Sequence, residues 1–176
     1  MTEAFRAIRP KPDEHLAYYS TYIDRVPDGD IVDTLSRQIP ETIAFLKSIP
    51  ESKVDYQYAP GKWTIRQIVG HLADGERVFQ YRAFRFSRAD ATPVPGFDEN
   101  LYVDNAPFKN VSMEKLVAEL EYLRRASIYM LSNLDAEAMG RVGVANGNPI
   151  TVRALAFIMA GHETHHVQVM KDRYLK

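Results

Sequence analysis

The chain of 176 residues contains no cysteine. Disulfide bonds, thiolate metal ligands, iron–sulfur clusters and cysteine nucleophiles are therefore excluded, and any thiol chemistry would need a thiol from outside the chain. An excess of charge of either sign is also missing, because 22 lysines and arginines face 23 aspartates and glutamates. A near-neutral chain has no overall field to hold a phosphate backbone, so we expect no nucleic-acid partner.

Long apolar runs are absent as well. No stretch of 18 apolar residues occurs, and the N-terminal residues lack the apolar core of a signal peptide. We therefore expect a cytoplasmic protein with no membrane partner. The hydrophobic fraction is 45% and the charged fraction 26%, which excludes a disordered or fibrous chain. This length predicts one domain over residues 1–176, large enough to fold without a disulfide or a metal.

The N-terminal part of the chain predicts an arm with a short helix over residues 13–26. A stronger pattern follows, in which apolar residues recur at helical spacing from about Asp30 until shortly before Pro50. Pro40 lies inside this pattern and predicts a kink or a break, because proline removes one helical hydrogen bond. This segment is the first long helix.

A second long helix is predicted to begin after Thr64, where Gln67 three residues later completes a capping box. Its apolar stripe continues to about Arg88. Residues 89–111 contain three prolines and a glycine and show no period. The sequence therefore predicts a long loop, and loops of this length usually fold over something.

The third helix is the most regular, with Ser112 as its cap and a heptad-like apolar seam that continues to Leu134. An irregular stretch rich in glycine follows. Thr151 then caps a last helix that runs almost to Lys176. Strand-like alternation is weak throughout, so four long amphipathic helices predict an all-α fold of the four-helix-bundle type.

Three of the five histidines lie in one stretch of five residues inside this last helix. At 100° per residue, His162 and His166 occupy the apolar stripe, in positions where leucine is expected, whereas His165 lies at its edge. Two imidazoles one turn apart can hold one metal ion, because side chains at i and i+4 are neighbours. Two core histidines hydrogen-bonded to other groups, in a metal-free bundle, are the alternative reading.

A pair of histidines is an incomplete site, because zinc-type centres use three protein ligands plus water, or four ligands. His71 is the candidate third ligand, since it lies at the rim of the apolar face of the second helix. Gly75, one turn later, removes bulk where a ligand or substrate could approach. His15 has no such pattern, and we interpret it as a surface or packing residue.

Residues 162–166 also match the H-E-x-x-H pattern of zinc proteases, in which the glutamate is the general base. We interpret this match as accidental, because no histidine follows His166 and the chain shows little strand to hold a peptide. Glu163 and His166 form one Glu-x-x-His unit, but a di-iron bundle needs a second unit, which the sequence lacks.

Five stretches together resemble the DinB-like superfamily of small bacterial helical proteins, and more closely its DinB_2 branch. They are residues 60–66, 70–77, 81–85, 93–98 and 161–166. The resemblance covers most of the chain and implies a four-helix bundle with a metal bound by His71, His162 and His166. It also implies a homodimer and, in some members, a metal that activates a low-molecular-weight thiol.

Two hypotheses for function follow. In the first, the chain is an enzyme in which three histidines hold a divalent metal with an open position, and it acts as a hydrolase or a thiol-dependent S-transferase on a small molecule. Zinc or nickel is expected first, with iron or copper also compatible. In the second, the metal is structural or sensory and the module has no activity.

Neighbours of these histidines could orient the rings, because a ligating imidazole usually donates its second N–H. Asp74 and Glu76 flank the His71 turn, although a solvated helix face is the preferred interpretation for both. The roles of Glu163 and His165 stay open at this point.

Overall fold

The computed structural model of the chain describes residues 4–176, and it shows a four-helix bundle. The long helices are α2 (Ile31–Lys47), α4 (Ile65–Ser87), α6 (Met113–Ser132) and α8 (Val152–Val169). The short helices are α1 (Ser20–Ile23), α3 (Glu51–Val54), α5 (Glu99–Asn105) and α7 (Ala136–Gly140). A hairpin of strands β1 (Val142–Ala145) and β2 (Asn148–Thr151) precedes α8. None of the helices in residues 4–176 combines the length and the apolar character that a membrane span requires.

Each long helix begins at a residue whose side-chain oxygen accepts a hydrogen bond from a backbone N–H of the first turn. These caps are Asp30, Thr64, Ser112 and Thr151, and the start of each long helix is therefore where the sequence predicts it. Of the kink or break predicted at Pro40, a break does not occur, since α2 continues through this residue.

The four long helices form a square in which neighbours in the chain are not all neighbours in space. Both α2 and α4 pack against α6 and α8, which places α2 and α4 at opposite corners. The short α1 packs against α8. This arrangement brings the N-terminal half of α4 next to the C-terminal half of α8, where the candidate ligands lie.

The apolar interior is divided into two clusters along the bundle axis. One cluster takes Ala154 to Ala160 from α8, and the other takes Met170 from the turn that follows α8. Between them every long helix contributes polar side chains, and those that are buried include Thr42, Glu76, Arg124 and Glu163. The histidines of α8 belong to this polar layer, so the bundle is interrupted where a site can form.

The hairpin was not predicted from the sequence. Asn146 (φ 51°) and Gly147 (φ 74°) connect its strands, both with positive φ, as in a two-residue turn whose twist matches that of the strands. Val94 adds a further pair of backbone hydrogen bonds, to Val144 and Asn146. The hairpin thus anchors the start of the 89–111 segment.

The 89–111 segment contains α5 and a 3₁₀ turn over Phe108–Asn110, so part of the predicted loop is helical. Phe108 is buried against Gly70, where any side chain would overlap its ring. The predicted short helix over residues 13–26 is also shorter in the structure, where it consists of 3₁₀ turns and the four residues of α1.

Candidate metal centre

The structure brings His71, His162 and His166 together from two helices. Their potential ligand atoms all lie within 4.8 Å of one another. Nε2 of His71 lies 2.9 Å from Nε2 of His162, and the centres of the three rings are 4.6–4.9 Å apart. The sequence predicts this same set of residues from the spacing in α8 and the position of His71 on α4.

Burial keeps these rings uncharged. His71 and His162 are each 6% exposed, and His166 is partly buried. Burial lowers the pKa of His71 to about 4, and it holds the pKa values of His162 and His166 well below their usual range. The neighbouring imidazoles act in the same direction on His162 and His166. Neutral imidazole is the form that binds metals, so the cluster is ready to do so at neutral pH.

The donor set fits a divalent transition metal. Bonds of about 2.0–2.1 Å from zinc to imidazole nitrogen place two ligand atoms at most about 4 Å apart. The separations of up to 4.8 Å in this cluster lie within small side-chain adjustments of that limit. Three imidazoles without a thiolate or carboxylate suit zinc, nickel, iron or copper rather than magnesium or calcium.

Aromatic side chains surround the cluster and fix its rings. Trp63, which precedes α4, lies 4.7 Å from His71 between ring centres. Tyr22 of α1 contacts His162 edge to face at 5.3 Å, and Phe79 does so at 5.7 Å. The sequence pattern does not reveal these ring contacts, because contacts between distant segments leave no mark in a linear pattern.

Two glycines make room for these contacts. A Cβ on Gly75 would lie 3.0 Å from His162, so this glycine accommodates a ring of the cluster rather than an approaching substrate. A Cβ on Gly161 would overlap the backbone carbonyl of Tyr22. The close approach of α1 to α8 therefore depends on Gly161.

Beneath the cluster, Arg124 of α6 forms a buried ion network. Its guanidinium pairs with Glu76 at 2.9 Å and with Glu163 at 2.8 Å, and all three side chains are at most 2% exposed. Glu163 also accepts a hydrogen bond from Thr42. The solvated helix face expected for Glu76 is therefore wrong, and Glu76 orients no imidazole. Arg124 itself carries no signal in the sequence pattern.

This network also shows whether Glu163 can act as the general base of an H-E-x-x-H motif. The carboxylate of Glu163 points to Arg124 and Thr42 and not to the histidine cluster, so it cannot serve as a general base there. Both motif histidines, His162 and His166, belong to the cluster, whereas His165 stands at a variable position of the motif and contacts the ring of Tyr22 at 5.6 Å. The interpretation of the motif as accidental agrees with this geometry.

The remaining sequence candidates lie apart from the cluster. Asp74 is half-buried and pairs with Arg77 at 3.4 Å, and burial raises its pKa. His15 is buried, and its Nδ1 lies 3.0 Å from the carbonyl oxygen of Leu16, which agrees with a packing role. Neither residue belongs to the group of potential ligands.

A cavity of about 400 Å³ opens onto the three histidines. Its polar lining includes His165, Arg82, Glu99 and Asn146, and its apolar walls are Tyr18, Tyr19, Tyr22, Trp63, Phe79 and Phe97. Its volume suits a small molecule. The 89–111 segment contributes Phe97 to a wall, whereas Phe108 anchors the same segment to α4.

Comparison with known proteins finds one matching family and several relatives that carry the same name. The family profile of the DinB superfamily matches residues 34–170. A protein of Oceanobacillus iheyensis, named as a candidate metal-dependent hydrolase, is 27% identical over 143 residues, which cover 80% of this chain and 79% of the relative. YfiT of Bacillus subtilis, named in the same way, is 27% identical over 121 residues, covering 66% of this chain and 67% of YfiT.

The solved structure of YfiT has the same fold as this chain. It superposes with a TM-score of 0.70 at 19% identity, over 94% of this chain and 90% of YfiT. Its description names a four-helix bundle of unusual topology and a probable metal-dependent hydrolase.

Proposed function

The chain belongs to the DinB superfamily, and we propose that it is a metal-dependent hydrolase that holds a divalent ion with His71, His162 and His166. The observation that carries this proposal is the convergence of three neutral imidazoles, two buried and one partly buried, in the lining of one cavity. The names of relatives that align over about 80% of the chain point in the same direction.

The protein's own residues account for binding and orientation. Tyr22, Phe79 and Trp63 hold the imidazoles by ring contacts and keep bulk water from their buried faces. Arg124 holds α4 and α8 together through Glu76 and Glu163, and this fixes the height of His71 relative to His162. A divalent ion in a three-histidine site supplies the activation of a water molecule and the polarisation of a substrate oxygen.

A catalytic role is favoured over a structural one by the number and position of the donors. A structural zinc site is closed by four protein ligands, whereas three protein ligands leave a position for water or substrate. Within the described residues the potential ligand group has three members, and it faces the cavity rather than a closed core.

Thiol-dependent transfer is the second candidate. It is favoured by the cavity volume of about 400 Å³, which has room for more than one small reactant. The thiol would come from outside the chain, because the sequence contains no cysteine. The two candidates share the metal site and differ in whether turnover needs a thiol.

The test begins with elemental analysis of protein purified without added metal. We expect about one divalent ion per chain, lost in His71→Ala, His162→Ala and His166→Ala. His165→Ala is the matched control, because this histidine lies in the same turn but outside the cluster, and it should keep most of the metal.

Activity is then measured with chromogenic carboxylic esters, amides and phosphate esters, with and without added low-molecular-weight thiols. Turnover that disappears with a chelator and returns with zinc or nickel supports a metal-dependent enzyme, and its thiol requirement separates the two candidates. Turnover that is insensitive to a chelator, or metal lost from His165→Ala but kept in His166→Ala, would contradict the proposal.

A further inference from the structure

Arg82 is a buried cation that has no acidic partner among residues 4–176. It is 3% exposed, and its only hydrogen bond in the described structure goes from Nη2 to the carbonyl of Pro95 at 3.1 Å. The other buried arginines of residues 4–176 are Arg66 and Arg124, and each of them pairs with carboxylates. Arg82 therefore differs from them in its charge balance.

A buried guanidinium without a counter-ion is unfavourable, because burial removes the water that would otherwise solvate the charge. Arginine stays protonated under all ordinary conditions and carries five N–H donors in a planar fork. Arg82 lines the cavity, and only one of its donors is used by the protein. The remaining donors are available to a molecule in the cavity.

The position of Arg82 links it to the metal site. It follows His71 by eleven residues on α4, which at 100° per residue returns to the same face of the helix about three turns later. The Cα–Cβ bonds of a helix tilt towards its N-terminus, which is the direction of His71 from Arg82, and both residues line the same cavity. Phe79 lies between the two residues on that face and contacts His162. One cavity thus contains both the three candidate metal ligands and a cation that lies about three helical turns from His71 along α4.

We propose that Arg82 binds a carboxylate of the substrate, so that the substrates are small monocarboxylates with an apolar or aromatic body and a hydrolysable group directed to the histidines. This inference rests on the proposed function. A single free guanidinium balances one negative charge, which favours a carboxylate over a doubly charged phosphate. Glu99 lies at the exposed mouth of the cavity and forms no ion pair with Arg82 in the described residues.

A purely structural role is the competing explanation, since Arg82 also holds the 89–111 segment through Pro95 and lies over the ring of Phe97. The two roles are separable. Glutamine can keep a hydrogen bond to Pro95 but carries no charge. If Arg82 has only a structural role, the protein has no preference for an anionic ligand that this substitution could remove.

The probes are 4-(trifluoromethyl)benzoate and its neutral amide, 4-(trifluoromethyl)benzamide, whose binding is measured by fluorine NMR titration. The full-length chain is measured both with zinc and after chelation. We expect the parent protein to bind the carboxylate about tenfold or more tighter than the amide in both states, as one charge-assisted contact implies. Arg82→Gln should bring this ratio close to one. Arg85→Gln should keep it, because Arg85 pairs with Asp90 and does not line the cavity.

A parent protein without preference for the carboxylate overturns the inference, as does a folded Arg82→Gln variant that keeps the preference. If circular dichroism shows that Arg82→Gln does not fold, Arg82→Lys replaces it. Lysine lacks the planar fork, so the preference should fall by roughly threefold or more, and an unchanged preference counts against the inference.

The experiment also separates this inference from the proposed function. A preference that depends on Arg82 in a chain without metal or turnover supports the inference and rejects the hydrolase. Metal-dependent hydrolysis without any carboxylate preference does the reverse.

Discussion

At the scale of single residues, the candidate centre has histidines at positions where apolar side chains would otherwise pack. His162 and His166 occupy the apolar seam of α8, where a buried leucine side chain would contribute about 1.5–3 kcal/mol of hydrophobic free energy. Burial lowers the pKa of each ring because a charged imidazole would lose its hydration. The same residues that suit a metal therefore make the metal-free protein sensitive to acid.

We predict that chelator-treated protein loses stability as the pH falls from about 6.5 to about 4. The unfolded chain gains protons on its histidines near pH 6.5, whereas the pKa of folded His71 is about 4 and those of His162 and His166 are also lowered. The unfolded state then binds more protons, so the free energy of unfolding decreases, by about 3 kcal/mol for His71 alone. Urea denaturation at a series of pH values measures this.

The control for this pH dependence is the double variant His162→Leu/His166→Leu. It removes two of the three buried rings and leaves all carboxylates in place, so the difference between the two proteins isolates the histidines. Equal slopes of unfolding free energy against pH in both proteins would show that these rings do not titrate in the window.

The histidine seam was predictable because its residues repeat along one helix, and periodicity assigns them to one face. The ion network of Arg124, Glu76 and Glu163 was not, because it joins three helices and no local pattern marks a charge for burial. The contacts of Trp63 and Tyr22 with the histidines were not predictable for the same reason. Each reaches the histidines from a separate segment of the chain.

At the scale of elements, the starts of the long helices could be predicted because a capping side chain acts on its own first turn. The hairpin could have been found from the Asn146–Gly147 pair, which is a strong turn signal. Its strands have four residues each, too few for a clear alternation, and Pro149 within β2 argues against a strand. Tertiary contacts with Val94 complete the sheet that the sequence leaves unmarked.

The packing of α1 on α8 leads to a prediction for Gly161→Ala. The added methyl would overlap the backbone carbonyl of Tyr22, which cannot rotate away as a side chain can. We expect a loss of about 1–3 kcal/mol in the free energy of unfolding, despite the better helix propensity of alanine. Displacement of Tyr22 should also weaken metal binding, since its ring covers His162.

Gly140→Ala is the matched control for this change. Gly140 ends α7, and a Cβ there would meet no atom within 4 Å. Gly161→Ala should therefore lower the temperature of thermal unfolding, whereas Gly140→Ala should raise it or leave it almost unchanged. A stabilised Gly161→Ala variant would contradict the close contact of α1 with α8.

At the scale of the whole molecule, association into a homodimer stays a prediction that rests on the family resemblance. It is consistent with Tyr122 and Tyr129 of α6, which are 73% and 74% exposed. Light scattering at micromolar concentration should give the mass of two chains. A mass of one chain would reject the dimer and leave the metal site unaffected, because all three candidate ligands come from the same chain.

The bundle as a whole should not need the metal to fold. Two apolar clusters enclose the polar layer from both sides, and they draw on all four long helices. A chain of this length buries roughly 70% of its unfolded surface, unlike a zinc finger, which has almost no core of its own. The buried ion network also holds α4, α6 and α8 together without the histidines.

We therefore predict that chelator-treated protein stays helical and unfolds cooperatively, but at a lower temperature than the metal-bound form, because a bound ion stabilises the state that binds it. His162→Leu/His166→Leu should bind no metal and be at least as stable as the chelated parent, since two buried polar rings are replaced by apolar side chains. This variant should also lose any hydrolytic or thiol-transfer activity of the parent. Circular dichroism with thermal melting measures both outcomes. A random-coil spectrum after chelation would mean that the metal is structural, which contradicts an open catalytic site in a bundle that folds without it.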